Sequence, residues 1–431
     1  MRFSLRKNTF LAYLLFLSFF LISAFAFISC SSSEETTDKT IQPQAEVKKE
    51  LVLPDLTNPV RVLISEKSSD AQIKFTNGIV VKSDGEPVVE INAKNKIGLK
   101  AKDGKIELTI GKKSYTRDNF TLLPSTTSGS IDFDGKKYPD SIKIISKEDK
   151  ILLINYVGFD NYVMCVISAE MGNLTKKENL EALKALSLCV KCFVIDNLKE
   201  SKTNFDVYND IKDQLFNGIG NINSNVREAY DSTKNLFLTY QNELAQVYYF
   251  SSCGGYTENC VNVLPNCSSP YLIGVKDGDE PYCRISPSFS WEETYTKKQI
   301  VKFLVDSKYI EEGYWKLKEF SVQSRYASGR ISELLIVVEN KNGERKEFVL
   351  SGNKIRYVIK TNKDGILKSA NFDIEAKYKN QEIDAVKLKG KGNGHGVGLC
   401  QWGAIGQART GRKFDDILRH YFPGIELTSK E

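Results

Sequence analysis

Between Gly390 and Gly411 the chain reads GKGNGHGVGLCQWGAIGQARTG, with glycines at 390, 392, 394, 396, 398, 403, 406 and 411. Each glycine gives up more backbone entropy on ordering than any other residue. A tract this dense therefore makes sense only where the backbone needs positive φ or must run close to another strand or a ligand. The tract also carries His395, one of 2 histidines in the chain, together with Cys400, Gln401 and Trp402. No placement of G-x-G-x-x-G fits it and the G-K-[ST] ending of a phosphate loop is missing, which argues against a nucleotide site.

With 431 residues, 41% hydrophobic and 26% charged, the chain can bury a full core and is long enough for two domains, or one large domain with an appendage. A net charge of +6 is mild for this length, and no dense Lys/Arg block stands out. Nucleic acid is therefore not an expected partner.

The first residues point out of the cytoplasm. Arg2, Arg6 and Lys7 precede an apolar run from Phe10 to Ile28, and Cys30 follows. These are the charged, hydrophobic and small-residue zones of an export signal, assigned to residues 1–29. Phe27-Ile28-Ser29-Cys30 resembles a lipoprotein cleavage box, with Cys30 as the lipidated first residue and 30–58 as a polar tether. The alternative is an uncleaved anchor, since about 19 apolar residues can just span a bilayer. Either reading tethers the protein to a membrane, facing the cell wall or periplasm.

From Val60 to about Ile154, short apolar runs alternate with the turn signals Asp84-Gly85, Asp103-Gly104, Gly111-Lys112 and Asp134-Gly135. They predict a β-rich region over 59–133, with no histidine, cysteine or clustered carboxylates in it. The region from 134 to 431 is read as the catalytic one. Two apolar segments, Ile151 to Val157 and Tyr162 to Ser168, run up to a lone Glu170. Leu180, Leu183, Leu186, Val190, Phe193 and Leu198 then mark one face of a helix over 177–199. Glu170 is thus expected at a strand-to-helix junction, where burial and a positive helix end push its pKa in opposite directions.

The polar stretch 204–225 reads as a long surface loop of the kind that commonly serves function. After it come a helix over 226–233 and two strands, 236–240 and 245–250, the second leading into the corner SSCGGYTENC. Further helices are expected over 297–306, 352–359 and 414–422, the last stopped by Pro423-Gly424. The whole predicts an α+β fold, a mixed sheet with packed helices preceded by the β-rich region.

Beyond Cys30 the cysteines are 165, 189, 192, 253, 260, 267, 283 and 400, an even number in an exported chain. One or two disulfides are expected within Cys253, Cys260, Cys267 and Cys283, while Cys165, Cys189 and Cys192 read as buried thiols. No two matching C-x-x-C pairs exist, so neither a metal site nor a cofactor is expected. His420, beside the apolar face of the terminal helix, reads as structural.

Four blocks in order carry a resemblance: DGKKYPDSIKIISKEDKILLINYVGFDNYV; VISAEMGN with LEALKALSLCVKCFVI; VYYFSSCGGYTEN with SPYLIGVKD; and GKGNGHGVGLCQWGAIGQARTGRKFDDILRHYFPGIEL. Together they resemble the stage II sporulation protein D family, SpoIID/LytB, over most of the chain after about Asp134. The resemblance implies a lytic transglycosylase cutting peptidoglycan glycan strands between N-acetylmuramic acid and N-acetylglucosamine without adding water. Its alternative is a glycan-binding activator of a cell-wall amidase.

The family's catalytic acid maps to Glu170, and Lys191, Ser252, Tyr256, Glu258, His395 and Gln401 are expected as substrate-groove residues. One carboxyl group suffices for this chemistry, as proton donor to the glycosidic oxygen and acceptor from the sugar's own 6-hydroxyl. The chain departs from the family at Lys191, where arginine is common, and at Cys400 and Trp402, where serine and tyrosine are common. A zinc-binding Cys/His group of some relatives, in the loop after the helix, has no counterpart in 204–225.

Overall fold

The computed structural model describes residues 51–430 apart from 69, 76, 93, 94, 128, 200–203 and 221. The apolar run from Phe10, Cys30 and the tether up to residue 50 lie outside the described residues. Among the described residues, no helix is long and apolar enough to cross a membrane.

Three of the Asp-Gly pairs do the turning work read from them. Asp84, Asp103 and Asp134 sit at φ 50°, 51° and 51°, each followed by a glycine at φ 87°, 75° and 75°. Two successive left-handed residues make the hairpin turn whose twist matches that of the strands it joins. The hairpins build two sheets. One holds seven strands in the order Val207–Tyr208, Val60–Lys67, Lys150–Val157, Ser141–Lys147, Asn119–Pro124, Ile79–Ser83, Glu86–Ile91. The other holds six, from Lys136–Tyr138 through Ala71–Phe75 to Lys113–Arg117. Alternate residues such as Ala71, Ile73 and Phe75 are buried, so each strand contributes one face to the core.

Val207–Tyr208 pairs in parallel with Val60–Lys67, and Asp206 takes Arg61 at 2.6 Å just before it. The loop that follows the long helix is thereby fixed to the N-terminal sheet.

The helices follow. Lys150–Val157 passes through Gly158 into α1 (Phe159–Met171), and a 3-10 turn at Lys177–Asn179 leads into α2 (Leu180–Lys199). Helix α3 (Ser224–Thr233) starts at Asn223, whose side chain accepts the Val226 N–H at 3.0 Å. Next come α4 (Lys297–Asp306), begun by a Thr296/Gln299 capping box, and α5 (Ile355–Val358). The last two are α6 (Gln401–Arg409) and α7 (Phe414–Tyr421). Helix α2 is central; Leu183, Leu186 and Val190 are fully buried as its periodicity requires.

Helix α1 corrects the sequence reading, which placed Tyr162 to Ser168 as a strand-like run. Tyr162 to Ile167 is an unbroken apolar run, and Met164 interrupts the half-exposed stripe of Asp160, Asn161 and Ser168, so no 3.6-residue period could be read. Helix α6 was not expected either, because its two glycines hid it. Of the strand read over 245–250 only Tyr249–Phe250 forms, and a separate short strand, Glu243–Leu244, precedes it.

From Trp291 to Leu388 the chain forms a second hydrophobic core of its own. Two three-stranded sheets enclose it: Ser290–Thr296, Glu382–Lys391, Phe372–Lys379, and Trp315–Arg325, Ile331–Asn340, Arg345–Ser351. Its base explains the first glycine of the tract. A Cβ on Gly390 would stand 2.1 Å from the Trp291 ring, whose N–H donates to the Gly392 carbonyl at 2.9 Å. The α+β class with a β-rich lead-in, read from the sequence, is the one observed.

Candidate active site

Glu170 lies in the last turn of α1, not at the start of the following helix. The negative end of α1 therefore faces it, in place of the positive end expected from the sequence. One carboxylate oxygen, Oε1, accepts the Leu215 N–H at 3.2 Å and the Tyr249 hydroxyl at 3.5 Å. The other, Oε2, accepts the Gln401 amide at 3.0 Å. Burial raises the pKa of Glu170 above the ordinary carboxyl value, and the three donors pull it back down.

The donors are themselves held. Gln214 donates to the Tyr249 hydroxyl at 3.0 Å and accepts from the Tyr162 hydroxyl at 2.9 Å, so an ordered relay runs from α1 through the loop to Glu170. Tyr249 stands in the short strand before the SSCGG corner, and Leu215 belongs to the 204–225 loop. That loop also supplies Asn217, Gly218 and Gly220 to a cleft of about 430 Å³ around Glu170, with Asn173, Ser251 and Trp402 elsewhere on its wall. Glu170 is the one carboxylate among the residues that line this cleft.

Of the groove residues expected from the sequence, Gln401 stands beside Glu170. Lys191 does not: it is fully buried in α2, and its ammonium donates to the carbonyls of Thr233, Lys234 (3.2 Å) and Leu236 (2.6 Å). It closes the C-terminal end of α3, where helix carbonyls lack partners. Burial lowers its pKa to about 8. Contact with substrate is corrected to a helix-capping role for this side chain.

Ser252, Glu258 and Tyr256 also lie off the cleft. Ser252 is fully buried, its backbone exchanging hydrogen bonds with Asn393 at 2.9 and 2.7 Å. Glu258 is buried, accepting from the Asn259 N–H and Asn262 amide at 2.8 Å each and from the Ser328 hydroxyl. Tyr256 is half-buried, and its carbonyl accepts from Arg330 at 2.9 Å. None of the three is among the residues that line the cleft around Glu170.

His395 acts at one remove. Its Nδ1 accepts the Val397 N–H at 3.1 Å, which leaves Nε2–H to donate to the Tyr249 carbonyl at 3.0 Å. Burial, with Arg356 and Arg330 nearby, lowers its pKa to about 4, so the ring is neutral with a fixed tautomer. It positions the backbone of the tyrosine that touches Glu170.

Among the cysteines, Cys260 and Cys267 form a disulfide. Cys253 and Cys283 stay unlinked, their sulfurs 3.4 Å apart. Both lie with Cys400 and Asp277 in a fully buried group whose ligand atoms are all within 4.8 Å of one another. No metal site was expected from the sequence, and this group has a geometry that could hold an ion. That expectation rested on spacing along the sequence, and the fold gathers these residues from three separate segments, around Cys253, Asp277 to Cys283, and Cys400.

Two family models match the chain. One, described as Stage II sporulation protein, covers residues 147–240, and the other, a domain of unknown function (DUF8618), covers 262–398. The chain is 27% identical to an uncharacterized protein of Brachyspira hyodysenteriae, over 87% of this chain and 91% of that one. It is 26% identical to the amidase enhancer of Bacillus subtilis, over 77% of this chain but only 50% of the relative, so it spans about half that protein's length. With stage II sporulation protein D of Bacillus subtilis it shares 25% identity, over 64% of this chain and 76% of the other.

Proposed function

Because the chain belongs to the SpoIID/LytB family and so has a cell-wall role, we propose that it is a lytic transglycosylase with Glu170 as its acid and base. One observation carries the reading. A single carboxyl group with a raised pKa, held by three donors, opens on a cleft with no second carboxylate among the described residues that line it.

Glycosidases that use water need a second carboxylate, as a nucleophile or to activate the water; a reaction that closes the sugar on itself does not. Protonated Glu170 donates to the glycosidic oxygen as the bond to the anomeric carbon of N-acetylmuramic acid breaks. The carboxylate so formed is stabilised by Leu215, Tyr249 and Gln401. It then accepts the proton of the sugar's 6-hydroxyl while that oxygen bonds to the same carbon, leaving an anhydro end. Burial favours the protonated form of the acid, and the three donors keep its anion from being prohibitively costly. Trp402 offers an aromatic face, and Asn173 and Asn217 offer amides, for the sugar rings in the cleft.

A tether through Cys30 would keep the cleft at the wall. The test is digestion of purified glycan strands, with and without stem peptides, followed by mass spectrometry. Anhydromuramyl ends from the wild type and none from Glu170→Gln are expected; equal yields from both would sink the assignment.

Similarity to an amidase enhancer over 77% of this chain supports a second reading, in which the cleft holds glycan while a separate amidase does the chemistry. In that case glycan pull-down survives Glu170→Gln and a partner amidase speeds up on mixing. An unchanged amidase rate counts against it.

A further inference from the structure

The buried sulfur cluster is not explained by the Glu170 chemistry. Cys253 lies in the corner after Tyr249–Phe250, Cys283 in the turn Tyr282–Ile285, and Asp277 in the segment just before that turn. Cys400 is the N-cap of α6, where its sulfur accepts the Gly403 N–H at 3.3 Å. All four side chains are inaccessible to solvent.

Their surroundings suit anions. Besides Gly403, Cys400 accepts the Cys253 N–H at 3.2 Å, and Cys253 accepts the Gly255 N–H at 3.4 Å. Asp277 takes the Cys283 N–H at 2.8 Å on one oxygen and the Tyr421 hydroxyl on the other, so both oxygens are oriented and each keeps a free lone pair. Arg330, also buried, donates to the Cys253 carbonyl at 3.1 Å. The Ser252 hydroxyl lies beside Cys283 and makes no well-formed hydrogen bond. Space is reserved as well: a Cβ on Gly403 would sit 1.9 Å from the Tyr421 hydroxyl and 2.6 Å from Asp277.

A Cys253–Cys283 disulfide would use two of these groups and leave Cys400 and Asp277 facing it without purpose. A tetrahedral zinc with bonds of about 2.0–2.3 Å spaces its donors roughly 3.3–3.8 Å apart. The sulfurs of Cys253 and Cys283 are at 3.4 Å, and no pair of ligand atoms exceeds 4.8 Å.

We propose that Cys253, Cys283, Cys400 and Asp277 bind one soft divalent metal ion, zinc by preference, as a closed structural site. Thiolates select zinc over hard cations, and four protein ligands leave no position for a reactive water. The peptide N–H groups and Tyr421 supply the outer hydrogen bonds that orient such ligands. The site fixes the first turn of α6, and with it Gln401, to the corner that holds Ser251. It also joins Cys283 to Cys400, the last ligand before the second core and the first after it.

The test is made on the full chain, purified without chelator or added metal. Elemental analysis should find about one zinc per chain. Replacement by cobalt(II) should give the intense thiolate charge-transfer and tetrahedral ligand-field bands of a sulfur-rich site. Alkylation after denaturation, without reductant, should label Cys253, Cys283 and Cys400. In Cys400→Ser, zinc affinity should fall at least about 10-fold; if that variant does not fold, the wild-type cobalt spectrum and alkylation pattern decide alone. Metal-free protein with a Cys253–Cys283 peptide link, an octahedral cobalt spectrum, or unchanged zinc content in Cys283→Ser would overturn the proposal. None of these readouts depends on glycan cleavage, so the assignment of Glu170 stands or falls separately.

Discussion

Glu170, half-buried, and Glu258, fully buried, both lie in family blocks and are held by several donors, yet they are set up for opposite tasks. Glu170 meets three donors but keeps one side on a cleft of about 430 Å³. Glu258 has every oxygen engaged inside protein: Asn259 and Asn262 on one side of its carboxylate, Ser328 on the other, and the charge of Arg330 nearby. Ser328 and Arg330 come from the second core, so Glu258 latches that unit to the first. Burial alone does not mark an acid catalyst; what does is a carboxyl group that is buried and still open to a substrate.

The largest effect should separate the two residues. Glu170→Gln should cut the yield of anhydromuramyl ends by about 10²–10⁴-fold, with thermal stability kept or raised. Glu258→Ala should lower stability by about 3–5 kcal/mol in chemical denaturation, because it strands the buried Arg330 without its counter-charge. Activity per folded molecule should change far less. If Glu258→Ala lost activity at full stability, the latch would have to be redrawn as part of the groove.

Acid and base sharpen the contrast next, and here Glu170 and His395 have opposite signs. Glu170 has a raised folded pKa, so between the ordinary carboxyl value and that raised value the folded state holds more protons than the unfolded one. It costs stability as pH rises through this window, and activity should fall there as the acid ionises. His395 is depressed from 6.5 to about 4, so its neutral form supports the fold at neutral pH and this support is lost as pH falls through that range. The drop is worth roughly 3 kcal/mol. A pH series of denaturation curves should show that acid-side loss, and His395→Gln should flatten it. At pH 7, Glu170→Gln should melt higher than the wild type, with the difference vanishing below the ordinary carboxyl range.

The smallest effects concern the donors. Gln401→Ala removes a hydrogen bond at 3.0 Å to the carboxylate, and should move the alkaline limb of the activity profile upward by about one pH unit while lowering the rate about tenfold. Tyr249→Phe removes a longer contact at 3.5 Å and should do the same more weakly. Reversal of that order would mean that Tyr249 touches substrate directly.

Much of the frame was legible because its cues are local. The Asp-Gly turns, the α2 period and the stop at Pro423-Gly424 depend on neighbours in sequence. Helix α1 was not, since the unbroken apolar run from Tyr162 to Ile167 hides its narrow half-exposed stripe of Asp160, Asn161 and Ser168. Glu170 could be found through the resemblance, but Tyr249 looked like one more apolar strand residue. Gln214 and Leu215 belong to a loop whose polarity revealed a use without naming its members. Lys191 misled because the resemblance set it where the family commonly has arginine, when the carbonyls of Thr233, Lys234 and Leu236, at and just past the end of α3, supply its reason. The sulfur cluster was hidden by distance: Cys253 and Cys400 are far apart in sequence, and the spacing rules for metal sites look for pairs.

The two ends of the second core bear on how such a chain can change over generations. Ser290 pairs with Lys391, and the Gly392 N–H donates to the Phe289 carbonyl at 3.1 Å, so the chain leaves and returns at almost the same point. To the rest of the molecule the whole excursion is a single closed loop, whose closure entropy grows only with the logarithm of its length. Such a module can be gained, swapped or trimmed to a short turn with little strain on the Glu170 cleft. What restrains its exchange is the matching pair it brings, Ser328 and Arg330, which any replacement must reproduce or Glu258 must give up.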